Sequence, residues 1–452
     1  MNPESTRPLW QRFAIFLLPL MASNILQALS GTFNAIFIGQ MISVEALASL
    51  ATFFPILFFL ISFIIGLSAG STILIGQAWG ARNITRVKEI AGTTLTAAFV
   101  LGLVIAIIGG IWVEDIMSVL GAPENIRGMA VGYGRIMFLG MPGFFIFLVA
   151  TSILRGVGDT ITPLFSLIMS LLVGVVLTPA LIQGWWGLPQ LGVNSAAWAF
   201  IAGFVVVLTF LFFYMRARKL PLAPDAQLLR ALKPNVTLLK LILKLGIPTG
   251  LQMVVASVAG IVIVGLVNRF GSNATAAYGA LNQVLNYVQF PAMSIGIATS
   301  IFGAQAIGAR RSEQLAAITR TGLIMNFVIT GSLVLIAYLA SESLVSLFIT
   351  DPDVIDLTQH LLHVVLWAII PFGFGVVFSG MMRASGMVYA PMLLALTAIL
   401  VIEMPGAIVL SKTSLGLTGI YMAYAASFTG MMILQASWYH FVWKKKKIVA
   451  LV

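Results

Sequence analysis

Cysteine is absent from the 452 residues, which excludes disulfides, thiolate metal sites and a cysteine nucleophile. Charge is scarce: 9% of the residues are Asp, Glu, Lys or Arg, against roughly 25% in a soluble domain. Histidine occurs three times, at His360, His363 and His440. Hydrocarbon fills the space. Some 60% of the residues are hydrophobic, and the mean hydropathy is +1.05. Such a chain exposes too much apolar surface to stay monomeric in water, so a cytosolic enzyme, a secreted domain and a disordered chain are all excluded. A polytopic membrane protein remains. At about 20 apolar residues per span, the length accommodates on the order of a dozen helices.

Apolar runs fall at residues 13–38, 47–78, 90–113, 129–153, 161–185, 192–214, 238–267, 275–307, 315–341, 357–381, 389–411 and 415–442. The first run begins a span and carries no cleavable signal pattern. With the N-terminus on one side and a crossing at every run, that side receives 21 Lys and Arg residues and the other receives 3, with Arg135 inside a span. The net charge of +11 is therefore a topology signal and not a nucleic-acid footprint. Positive loops stay inside, so both termini are expected in the cytoplasm of a multi-pass inner (plasma) membrane protein. The longest polar stretch, 216–244 with Pro221, Pro224 and Pro234, divides the chain near its middle. It reads as a cytoplasmic linker between two lobes, 1–225 and 226–452.

The halves repeat. Gln77, Ala78, Gly80, Ala81 and Arg82 match Gln305, Ala306, Gly308, Ala309 and Arg310, while Arg155, Gly158 and Pro163 match Arg383, Gly386 and Pro391. Asn24 falls on Gln252 in the same register, an offset of 228 throughout. Six spans per repeat return the chain to the same side, so the repeats share one orientation. The expected fold is an all-α polytopic membrane protein, with twelve transmembrane helices in two six-helix lobes. Pseudo-twofold symmetry about the membrane normal relates the lobes, around a central cleft.

Ionisable groups at bilayer depth are costly and therefore informative. Of 14 acids, Glu403 alone sits deep in a run, between Val401, Ile402 and Met404. It is the candidate for coupling transport to an ion; the plainer reading is a structural hydrogen bond beside Pro405. Neutral polar residues form stripes at helical spacing: Asn24, Gln27 and Asn34 on the first run, Asn282, Asn286 and Gln289 on the eighth, and Thr249 with Gln252 at the start of the seventh. Interhelical hydrogen bonds explain each stripe alone; stripes on opposite halves fit a substrate cavity. Arg82, Arg155, Arg310 and Arg383 stand where spans meet the cytoplasm and are candidate gate residues, or basic anchors at helix ends. His360 and His363, at i and i+3, have Asp356 as their nearest acid and read as polar residues near a helix end more readily than as metal ligands or a proton relay. No GxxxxGK[ST] loop is present, which argues against a built-in ATPase.

The segments GQAWGARN, its echo GAQAIGAR, the ILRGVGD and MMRASG turns and the first-run NAIFIGQ together resemble the multidrug and toxic compound extrusion (MATE) family over the whole chain. The resemblance implies a transporter and not an enzyme. It would export small amphipathic organic compounds by alternating access as an antiporter, with inward H⁺ or Na⁺ as the coupling ion and no other cofactor. The partners implied are the substrate and the bilayer, with no nucleic acid and no metal, for a monomer. The DNA-damage-inducible-like branch is nearest, yet its first-helix aspartate is here Asn34, and a second, before the proline of the fifth helix, is Thr178. Acids of the other main branch fall near Ala256 and Gly373. A lipid-linked precursor flippase of the same superfamily is the alternative; it calls for a basic cavity, and Arg135 is the only basic residue well inside a run.

Overall fold

A computed structural model describes residues 7–218, 220 and 222–452; Pro221 of the linker lies outside the described residues. Twelve helices among them are long and apolar enough to cross a membrane. They are α1 (Leu9–Met41), α2 (Glu45–Gly80), α3 (Ile84–Val119), α4 (Glu124–Gly156), α5 (Ile161–Gln183), α6 (Asn194–Ala217), α7 (Val236–Asn268), α8 (Ser272–Gly308), α9 (Ser312–Leu339), α10 (Pro352–Ala384), α11 (Tyr389–Leu410) and α12 (Gly416–Lys445). A helix satisfies its backbone groups internally, which is what a hydrocarbon environment demands. Prolines inside α1, α2, α4, α5, α7 and α8 are compatible with that rule because neighbouring helices re-satisfy the freed carbonyls. Exposed Phe58, Phe63, Ile107 and Ile111 supply the lipid-facing hydrocarbon that the composition implied.

The chain forms two compact units. One comprises residues 22–79 and 83–247; the other comprises the described residues up to Met21, residues 80–82, and 248–452. Within the first unit, α3 and α4 approach closely through small residues: a Cβ on Gly102 would stand 2.6 Å from the Pro142 backbone, and one on Gly109 would overlap the Phe138 ring. Within the second unit, a Cβ on Gly380 would overlap the Gly296 carbonyl, so α8 and α10 meet backbone to backbone. Small-residue contact of this kind is how membrane helices gain packing when lipid is as apolar as leucine.

The linker packs with the first unit as far as Ile247. A short helix, Ala226–Ala231, is capped by Asp225, whose side chain accepts from the Leu228 N–H at 2.9 Å. Asp225 also pairs with the ammonium of Lys88. Gln227 donates to the Thr85 hydroxyl at 3.1 Å, Thr96 donates to the Leu232 carbonyl at 2.7 Å, and the Asn235 N–H donates to Thr93 at 3.3 Å. A Cβ on Gly92 would overlap the Ala231 carbonyl. The linker is therefore a docked element on α3.

The sequence repeat is visible in backbone geometry. Arg82 and Arg310 both adopt positive φ, 58° and 57°, just past the ends of α2 and α8. Asn83 N–H returns to the Ala78 carbonyl at 3.0 Å, and Arg311 N–H to Ala306 at 2.9 Å. That six-to-one closure is the Schellman motif. Gly158 and Gly386, at φ 89° and 84°, repeat it after α4 and α10, with Asp159 N–H to Leu154 at 2.9 Å and Met387 N–H to Met382 at 3.2 Å.

Candidate functional site

Helix α11 is regular from Tyr389 to Thr397, widens to a π-helix over Ala398–Glu403, and is regular again from Met404 to Leu410. Pro405 explains the position. It has no N–H to donate, and its ring would strike the carbonyl four residues back, at Val401; a π-turn takes up the mismatch, and such turns recur at functional sites. The carbonyl of Ala398 in that turn accepts from the Ser427 hydroxyl of α12 at 3.1 Å. Glu403 closes the turn, with 6% of its surface exposed. The Ser427 hydroxyl neighbours its carboxyl, and Tyr424 lies within its electrostatic reach. Sequence reasoning singled out Glu403 as an acid deep in an apolar run and did not name these neighbours. The available signal was the spacing of Tyr421, Tyr424 and Ser427 on one face of α12.

Asn34 and Thr178 meet. The Thr178 hydroxyl, on a fully buried residue, donates to Asn34 Oδ1 at 3.3 Å, joining α1 to α5 within the first unit. The two positions where the resembling branch carries aspartates are thus in contact, both neutral. Asn24 is half-buried and Gln27 exposed on the same helix. In the second unit, Asn282 and Gln289 are half-buried and Asn286 is exposed. Gln252 is half-buried and accepts from Arg383 Nη2 at 2.7 Å. That bond ties α7 to the C-terminal end of α10, and Asn24 and Arg155 occupy the corresponding positions of the first repeat. Arg82 and Arg310 are the helix-end residues described above.

Gly373, near which the resemblance to the other branch implies an acid, has no room for a side chain. A Cβ there would overlap Oδ1 of Asn326. Asn326 is fully buried, donates to the Ile370 carbonyl at 3.1 Å and accepts from Thr330 at 2.9 Å. His363 shares the Ser341 hydroxyl with Gln359, at 3.0 and 2.8 Å, and His360 lies 3.4 Å from Thr418. Among the described residues no group of three His, Cys, Asp or Glu side chains is placed to hold a metal. Arg135 pairs with Glu114 at 3.1 Å, both side chains exposed. It belongs to a surface ion pair between α3 and α4 and not to a buried basic cavity.

The MatE family model matches twice, over residues 19–180 and 248–409. The probable multidrug resistance protein YoeA of Bacillus subtilis is 42% identical over 99% of this chain and 97% of its own length. The probable multidrug resistance protein YpnP of the same organism is 25% identical over 97% and 96%. The crystal structure of a mutant of the Vibrio cholerae MATE transporter VcmN superposes with a TM-score of 0.89 at 17% identity, covering 97% of this chain and 98% of that one; it shows the same fold.

Proposed function

The chain belongs to the MatE family, and from that premise we propose that it is a secondary active exporter of small amphipathic organic compounds, working by alternating access as an antiporter. The observation that carries this reading is the double match of the family model, one per half, together with relatives named for multidrug resistance. The cell's inner membrane is its site, with both termini in the cytoplasm, and a single chain is the working unit. Within the family it stands nearest the DNA-damage-inducible-like branch, with the branch's two aspartate positions occupied by the Asn34–Thr178 pair.

Neutral residues cannot exchange a proton, so the coupling role passes to Glu403. Asn24, Gln27, Asn34 and Thr178 in the first repeat, and Gln252, Asn282, Asn286 and Gln289 in the second, are the residues that contact substrate. Arg82, Arg155, Arg310 and Arg383 govern cytoplasmic access. A cationic substrate and the coupling ion alternate because each binds the state that the other vacates.

Ethidium uptake into inverted membrane vesicles tests this. An acid-inside or a high-Na⁺-inside gradient drives uptake by the parent. Glu403→Gln keeps the size of the side chain but cannot titrate, so it inserts normally and loses gradient-driven uptake. Asn34→Leu and Asn286→Leu lower uptake at unchanged expression. If the parent moves no dye under either gradient and confers no resistance on a pump-deficient host, the exporter reading is wrong. If Glu403→Gln transports like the parent, the coupling assignment alone is wrong.

A further inference from the structure

The second unit holds a cluster of buried and half-buried oxygen-bearing side chains that extends the Glu403 site. Tyr424 and Tyr421 both lie within electrostatic reach of Tyr278 of α8, and their rings stack on one another at 6.3 Å between centroids. Tyr278 and Tyr424 pack into two adjoining hydrophobic clusters, one with Leu281, Leu362 and Tyr421, the other with Ile263, Ala407 and Ile420. Tyr421 is 1% exposed, and its hydroxyl is buried with no hydrogen-bond partner. An unsatisfied buried hydroxyl is costly, so one retained beside other polar groups calls for a partner that the protein itself does not supply. Apart from Glu403, the titratable groups placed at the cluster among the described residues are Tyr421 and Tyr424 from α12 and Tyr278 from α8, with His360 of α10 one turn away, 3.4 Å from Thr418 of α12. Among the described residues no Lys, Arg or His forms an ion pair with Glu403.

We propose that Glu403, Ser427, Tyr424 and Tyr278 form one proton-holding site, with Tyr421 as its way in, and that this site takes H⁺ and not Na⁺. The inference rests on Glu403 being the coupling group and goes on to name the ion. A hard cation needs a shell of about six oxygen ligands. The cluster offers one carboxylate and neutral hydroxyls set among packed aliphatic side chains, and the Ser427 proton is already committed to the Ala398 carbonyl. A proton needs a single acceptor. It passes from hydronium to a Glu403 carboxylate oxygen, leaving water behind and a neutral carboxyl that hydrocarbon tolerates. On release it returns to water on the other side.

Depth agrees with entry from outside. Glu403 lies seven residues before the end of α11 at Leu410, Tyr421 five residues after the start of α12 at Gly416, and Tyr278 six after the start of α8 at Ser272. At 1.5 Å per residue, all three sit within about 7–11 Å of those helix ends. With the termini in the cytoplasm, these are the outer ends.

Infrared difference spectra of the purified protein in nanodiscs, recorded against pH at constant ionic strength, read the site without any substrate. We expect a protonated-carboxyl stretch that is lost on alkaline titration and is missing from Glu403→Gln. Its frequency shifts in Ser427→Ala and in Tyr424→Phe, because a polar neighbour of the carboxyl has gone. Replacing K⁺ by Na⁺ at fixed pH leaves it unchanged. Discharge of the band by Na⁺ would make this a cation site and overturn the inference, as would an unshifted band in Tyr424→Phe or identical spectra for the parent and Glu403→Gln. Ethidium uptake by Glu403→Gln separates the two levels. If uptake is lost while Na⁺ discharges the band, the coupling role stands and the proton assignment falls; if uptake is intact, the coupling role falls with it.

Discussion

Gly373 lacks a side chain because Asn326 occupies the space. The amide is fully buried and bonded on both ends, to the Ile370 carbonyl and to Thr330, so it cannot swing aside without leaving polar atoms unpaired. An acid introduced at this position therefore does not recreate a binding group; it overpacks a filled interior. Gly373→Ala costs about 1–3 kcal/mol, and Gly373→Asp more, since it adds a buried unpaired charge. Thermal unfolding in detergent, followed by size-exclusion chromatography, reads this as a lower midpoint for both variants. Adding Asn326→Ala recovers part of the loss for Gly373→Ala. No change in the midpoint for Gly373→Ala would refute the packing argument. Arg82 and Arg310 are strained in another way. Left-handed backbone at a non-glycine residue costs roughly 1–2 kcal/mol, and both repeats carry it where glycine would fit without cost. The strain recurs at one register of both repeats, as the shared Schellman geometry requires.

The linker is an element whose position depends on charge. Hydrogen bonding from Lys88, and then from the Leu228 N–H, holds the Asp225 carboxyl below the usual carboxylate range. A group with a depressed folded-state pKa stabilises the docked form above its unfolded value, about 3.9. That contribution disappears as pH falls through the folded value. Asp225 is 47% exposed, so water screens the pair and its energy is modest; the hydrogen bonds to Thr85, Thr93 and Thr96 share the docking. A spin label placed at exposed Ala226 stays immobile from pH 8 to pH 5 and gains mobility as pH drops below the ordinary carboxylate range. Asp225→Asn removes that pH dependence and leaves the label more mobile at pH 7. A label equally mobile in parent and variant at pH 7 would show that the ion pair plays no part.

For the whole molecule, the decisive property is which loops face which side. Basic residues concentrate in alternate loops, and the twelve spans leave no crossing unaccounted for among the described residues. Because the chain has no cysteine, single cysteines report sidedness without background. Ser414→Cys, exposed between α11 and α12, is expected to react with a membrane-impermeant maleimide in intact cells. Ser312→Cys, exposed after α8, is expected to react only in inverted vesicles. The opposite labelling pattern would invert the topology, and with it the assignment of the Glu403 cluster to the outer side.

Residue order alone was enough to read the spans, their number and their repeat. Those are properties of local hydrocarbon content and of residue identity at a fixed register, and neither needs a fold to be read. Glu403 was legible for the same reason: one acid in an apolar run is conspicuous wherever the run packs. What surrounds Glu403 was not legible. Ser427 and Tyr424 reach it from α12, and Tyr278 joins them from α8, 125 residues earlier in the chain. Asn34 and Thr178 were each visible, but their contact at 3.3 Å across 144 residues was not. The linker looked like a polar spacer, since nothing in its composition reveals that Lys88 and Gly92 offer it a berth. Side chains distant in the chain become partners only when their helices pack. Which faces then meet depends on the shape of every neighbouring helix at once, and no single run of residues carries that information.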